Sequence, residues 1–170
     1  MRHSESKFTA IDGLPIYTPQ WIADEPITNL VIVHGLGEHS DRYKNYVDYF
    51  VPRGYSIYSF ELRGHGRSGG ARGHVERFGQ FAEDTDQVVT RIKEQSKLKL
   101  FMLGHSLGSL IALTYALHFP DRVNGMIVTG TALQDALKIP PAKRALAKML
   151  SRIAPKMKFD SGVVTEHLSH

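Results

Sequence analysis

The sequence predicts an α/β fold built on a mostly parallel sheet with helices on both faces. Apolar runs of strand length recur at Leu30 to Val33, Tyr55 to Leu62, Lys99 to Leu103 and Gly125 to Val128. Stretches of helical period separate them, the order that parallel strands joined by crossover helices require. Leu30-Val31-Ile32-Val33 is apolar at every position, as a strand covered on both faces must be.

Taken in order, Phe8 to Ile11 and Ile16-Tyr17, separated by Asp12-Gly13, read as a short hairpin. After the strand at Leu30 to Val33 come His34-Gly35-Leu36-Gly37-Glu38 and then a helix with Tyr43, Tyr46, Val47 and Phe50 on one face. Gly54 is placed to end that helix. The strand Tyr55 to Leu62 gives way to a turn-rich stretch holding Gly64, Gly66, Ser68, Gly69, Gly70 and Gly73. A helix from about Gly79 to Gln95 carries a buried stripe of Phe81, Thr85, Val88, Val89 and Ile92. The strand Lys99 to Leu103 feeds into Gly104-His105-Ser106-Leu107-Gly108 and a helix with Leu110, Ile111, Leu113 and Leu117, which Pro120 stops. Gly125 to Val128 is the next strand. Past Thr131 the character shifts to a basic, alanine-containing helix, so two parts are expected, 1–131 and 132–170.

With 170 residues, 42% apolar and 22% charged, the chain has the composition of a soluble globular domain, and disordered or collagen-like classes are excluded. Met1 to Ala10 is polar and does not resemble a signal peptide. No apolar run approaches a membrane span. The absence of cysteine removes disulfides and thiolate metal sites and fits a reducing compartment, so a cytoplasmic location is expected. The net charge of +4 does not point to nucleic acid, because the excess is concentrated in Lys138, Lys143, Arg144, Lys148, Arg152, Lys156 and Lys158, with no acid between them.

Gly104-x-Ser106-x-Gly108 carries the chemistry. A serine hydroxyl attacks a carbonyl poorly until a base takes its proton and donors hold the oxyanion that forms. Glycines two before and two after the serine let a strand turn sharply into a helix, so that the hydroxyl projects above the carboxyl edge of the sheet. The bland reading makes Ser106 a small residue at an ordinary turn, but a strand before it and a helix after it favour the nucleophile. In such an arrangement the oxyanion hole uses the N–H after the nucleophile and one from the loop after an earlier strand. Those are Leu107 and Leu36. The glycines of the Leu36 loop equally serve to turn a strand into a helix. His34, Gly35, Gly104, His105 and Gly108 are expected to support the two turns, with His34 and His105 orienting backbone rather than acting as the base.

His34-Gly35-Leu36-Gly37-Glu38-His39-Ser40, Leu62-Arg63-Gly64-His65-Gly66-Arg67-Ser68, Arg72-Gly73-His74-Val75 and the Ser106 motif together resemble the monoacylglycerol lipase and lysophospholipase group of the α/β-hydrolases. The resemblance spans about residues 7 to 132. It implies an α/β-hydrolase core followed by the start of a helical cap at 132–170. It also implies a serine esterase that removes one acyl chain from a glycerol or glycerophospholipid through an acyl-enzyme on Ser106, with no metal or organic cofactor. A general esterase, thioesterase or acyltransferase keeps the same elbow; a catalytically dead binding module keeps only the fold.

Other signals are weaker. The histidines His34, His39, His65, His74 and His105 lie in different turns without a short ligand spacing, so no metal site is expected. Gly64-x-Gly66-x-x-Gly69 matches a dinucleotide fingerprint by letter, but more turn residues follow it instead of a helix, and it reads as a loop bracing the catalytic edge.

Triad partners follow the serine in this fold, an acid and then a histidine after later strands. Asp160 with His167 or His170 has the right order, yet Lys156 to Phe159 is too short and polar to be the buried strand that would carry the acid. The expectation is therefore that neither partner is in this chain, that it stops before the last strands, and that it is inactive by itself. An open sheet edge would then favour association with the rest of the fold or with itself. Between Pro141 and Pro155, Leu146, Met149, Leu150 and Ile153 share one helical face, with Lys143, Arg144, Lys148 and Arg152 elsewhere on the helix. That pattern suits a cap over an acyl pocket, peripheral contact with an anionic membrane, or packing on the body with solvated charges.

Overall fold

β-Strand Thr28–Val33 (β3) is at the heart of the sheet because both its faces are apolar. Val31 and Val33 point to one core with Phe60, Met102, Ile111 and Tyr115, while Leu30 and Ile32 point to the other with Val47, Val51, Ile57 and Leu103. Fully buried side chains of this size each contribute about 2 kcal/mol. The structure, a computed structural model, describes residues 1–131 without a break and, beyond them, Pro141, Ala145, Met149 and Ile153, each in helix. The chain divides into two compact units, Met1–Leu133 and Gln134–His170.

Around β3 lie β1 (Arg2–Thr9), β2 (Pro15–Ile22), β4 (Tyr55–Phe60), β5 (Leu100–His105) and β6 (Gly125–Thr129), in the spatial order β1-β2-β4-β3-β5-β6. β4, β3, β5 and β6 pair in parallel; β1 and β2 form an antiparallel hairpin whose inner strand meets β4. The hairpin is longer than the sequence suggests. β1 extends back to Arg2, although only Phe8 within it is buried, and Ile11 belongs to the turn. Eight cross-strand pairs with β2 extend a segment whose own pattern is polar.

Helix α1 (Lys44–Phe50) covers one face, preceded by a 3₁₀ turn at Ser40–Tyr43 and followed by another at Val51–Arg53. Gly54 closes it in the left-handed conformation, φ 86°. Helices α2 (Gly79–Gln95) and α3 (Leu107–His118) cover the other face, and Phe81, Thr85, Val88, Val89 and Ile92 are all buried. The chain passes from β3 to β4 on one side and then, through α2, crosses to β5 on the other. The strand order thus reverses between β3 and β5, where open α/β sheets form their binding crevice at the carboxyl ends of the strands.

Candidate active site

The register places both candidate loops at that crevice. Val33 is opposite Gly104 on the neighbouring strand, and His105 opposite Thr129, so the Leu36 loop and the Ser106 turn leave the same edge of the sheet side by side. Ser106 has φ 51° and ψ −116°, a conformation that a residue with a side chain adopts only under strain. Its N–H donates to the Thr129 carbonyl at 2.9 Å, and its own carbonyl accepts from the Ser109 N–H at 3.0 Å, so α3 begins at once.

The flanking glycines are there for close approach. A Cβ on Gly108 would lie 2.0 Å from the Val33 carbonyl oxygen, and one on Gly104 would lie 2.5 Å from the Gly108 carbonyl oxygen. Both obstacles are backbone. α3 therefore packs against β3 with no room for a methyl group, which fixes where the Ser106 hydroxyl emerges.

The Leu36 loop is held by polar groups. The Gly35 carbonyl accepts from the Glu38 N–H at 3.3 Å and from His34 Nδ1 at 2.8 Å. His34 Nε2 accepts from the Leu62 N–H at 2.9 Å, which assigns the proton to Nδ1. In a trans peptide the C=O and N–H point opposite ways, so pinning the Gly35 oxygen turns the Leu36 N–H to the other side. Among the described residues, neither the Leu36 nor the Leu107 N–H has an acceptor. Burial pushes the His34 imidazole down to about 4, so it stays neutral with both nitrogens engaged and is not a base.

Four buried charged side chains escaped the sequence reading, Glu38, Glu61, Arg63 and Asp84. Glu38 accepts from the Gly35 N–H at 2.8 Å and the Tyr43 hydroxyl at 2.9 Å. Burial raises its carboxyl, but those bonds with Arg42 and His105 more than offset that and hold it below the ordinary carboxylate value. Glu61, just past β4, accepts from Ser40 Oγ at 2.8 Å and from the backbone and guanidinium of Arg67. Arg63 forms a two-pronged pair with Asp84, both bonds 2.8 Å, and reaches Asp12 at 2.7 Å. Burial works against its charge, and the carboxylates overcome it. A single charged residue in a loop has no periodicity to announce its burial. The turn-rich stretch is accordingly tied to the hairpin: Ser68 Oγ donates to the Glu61 carbonyl and accepts from the Tyr17 N–H, and the Gly69 N–H donates to the Pro15 carbonyl.

The structure thus gathers Ser106, Leu107, Gly104, Gly108, His105, His34, Gly35 and Leu36 at one edge. His105 Nδ1 lies 2.9 Å from Thr129 Oγ1. Asp160, His167 and His170 lie outside the described residues, as does most of 141–155; the four described positions there are helical and exposed, Met149 and Ile153 of the expected apolar face among them. Among the described residues no three His, Asp or Glu side chains are grouped to hold a metal.

A family model described as serine aminopeptidase, S33, matches residues 24–170. The chain belongs to that family. A monoacylglycerol lipase from Mycolicibacterium smegmatis is 33% identical over 154 residues, 89% of this chain and 55% of the relative. Phospholipase YtpA from Bacillus subtilis is 33% identical over 144 residues, 84% of this chain and 55% of the relative. The crystal structure of a Paleococcus ferrophilus monoacylglycerol lipase superposes with a TM-score of 0.72 at 32% identity, covering 98% of this chain and 57% of that one. The fold is the amino-terminal part of an α/β-hydrolase core, and the chain spans about half the length of the curated relatives it matches.

Proposed function

We propose that Ser106 is the nucleophile of a serine hydrolase that cleaves carboxylic esters, with monoacylglycerol or lysophospholipid as the substrate class. The strained φ and ψ of Ser106 between two glycines that admit no Cβ carry the reading. Ser106 Oγ attacks the ester carbonyl, the N–H groups of Leu36 and Leu107 hold the oxyanion, and loss of the alcohol leaves an acyl-enzyme that water hydrolyses. The names of the lipase and phospholipase relatives support the substrate class.

The described residues give Ser106 Oγ no hydrogen-bonded base; the triad acid and histidine are assigned outside this chain, so the 170-residue chain is expected to turn over esters slowly. Fluorophosphonate labelling tests this. Labelling that is lost in Ser106→Ala, in this chain or in a longer product of the same gene, supports the nucleophile. No Ser106-dependent labelling in either overturns it and favours the binding-module reading.

Residues 132–170 are read as the start of a cap. The helical state of Pro141, Ala145, Met149 and Ile153 fits a helix whose Lys143, Arg144 and Lys148 rest on an anionic membrane from the cytoplasmic side. Equal liposome flotation of a Lys143→Glu, Arg144→Glu, Lys148→Glu variant would remove the membrane contact. The exposed Ile127 and Val128 of β6, with an apolar hollow of about 400 Å³ between Phe50, Phe101 and Ile127, support association with further chain or with a second copy. Among the described residues no helix is long and apolar enough to cross a membrane.

A further inference from the structure

The hydrolase reading needs two loops from different strands held in fixed register, and something must span the gap between them. Glu38 is placed to do so. Its carboxylate is buried; Oε2 takes the Gly35 N–H at 2.8 Å and the Tyr43 hydroxyl at 2.9 Å, while Oε1 faces Arg42 Nε at 3.4 Å and His105 Nε2 at 4.0 Å. His105 precedes the nucleophile, and its other nitrogen meets Thr129 Oγ1 at 2.9 Å. The Thr129 carbonyl in turn takes the Ser106 N–H at 2.9 Å. A path therefore runs from the His34–Gly35 peptide through Glu38, across the 4.0 Å approach to His105, and on through Thr129 to Ser106.

We propose that Glu38 is a positioning residue whose carboxylate latches the Leu36 loop and, through His105, sets it against the Ser106 turn. This rests on the hydrolase reading for its purpose but not for its geometry. A carboxylate is suited to the task because it accepts from a backbone N–H and a hydroxyl on one oxygen while the other oxygen, drawn to the Arg42 guanidinium, also faces the His105 ring. Neutral glutamine keeps the shape and loses the charge. Glu38 touches no reacting atom; it acts through the Leu36 N–H and the Ser106 backbone.

The test is a double-mutant cycle read by ¹H–¹⁵N spectra of the full 170-residue chain at neutral pH. Glu38→Gln should move the Gly35 amide proton upfield and also shift the Ser106 amide. Combined with His105→Gln, the same substitution should still move Gly35 but leave Ser106 where His105→Gln alone puts it. A Gly35 amide indifferent to Glu38→Gln, or a Ser106 shift that persists without the imidazole, overturns the latch. If Glu38→Gln does not fold, acid titration of the wild type decides instead. As Glu38 takes a proton among its neighbours Arg42, Tyr43 and His105, the Gly35 and Ser106 amides should move with one midpoint, and separate midpoints overturn the proposal. Fluorophosphonate labelling of these samples and of a longer product of the same gene reads the nucleophile independently, so silence in both sinks the hydrolase reading and leaves the spectral result to stand.

Discussion

The two loops that flank the crevice are shaped by different forces. The Ser106 turn is set by repulsion: backbone atoms of β3 and α3 come so close that only glycine fits at 104 and 108, and the serine between them is left strained. The Leu36 loop is set by attraction, through a neutral buried histidine and the Glu38 carboxylate, which each hold a backbone N–H group. A sterically defined turn writes itself into the sequence as small residues at fixed spacing. A polar-clamped loop leaves its instructions on side chains that only meet in space.

The sharpest way to break this contrast is Gly108→Ala. The added methyl would meet the Val33 carbonyl, which cannot yield without parting α3 from β3, so a loss of about 4 kcal/mol is expected in urea unfolding. A cost under about 1 kcal/mol would mean the turn is not sterically set.

The polar loop should show itself instead as a dependence on acid. His34 is held neutral down to about 4, whereas the unfolded chain takes up that proton near 6.5. Between those values the unfolded state binds more protons, so stability falls as pH drops, by about 3 kcal/mol in all from this group. About 2 kcal/mol of it is expected between about pH 6.5 and pH 5, where the carboxylates remain ionised. His34→Gln should weaken the chain at pH 7 yet flatten that slope; an unchanged slope would assign it to other groups.

Glu61→Gln should cost about 2 kcal/mol, because one amide cannot accept from both Ser40 and the Arg67 backbone while offering its own N–H groups to the Arg67 guanidinium. The same thermal or urea measurement checks it. Smallest is Ser106→Gly, which removes the side chain from an unfavourable φ and should stabilise the chain by about 1 kcal/mol, net of the entropy glycine adds to the unfolded state. A loss of stability would show that the turn is not strained.

Legibility followed the same division. α2 was readable to its ends because an amphipathic stripe of Phe81, Thr85, Val88, Val89 and Ile92 repeats at the helical period against one core. Ser106 was readable because its motif sits between a strand and a helix. β1 was readable only at its end, since Arg2 to Lys7 carry no alternation and become a strand by pairing with β2. β4 stops at Phe60, two residues short of the apolar run: the Glu61 N–H still meets the Tyr17 carbonyl, but the Leu62 N–H turns to His34 Nε2 instead of a neighbouring strand.

The sequence by itself determined the α/β class, the elements that bury one stripe or both faces, and the serine turn, because hydrophobic period and glycine spacing are local properties of the chain. Tertiary structure alone decided the strand order that reverses beside β3, the tautomer of His34, the burial of Glu38, Glu61 and Arg63, and the meeting of two loops more than sixty residues apart. Those depend on which distant backbone groups need a partner once water is excluded, and no window of sequence contains both halves of such a pair.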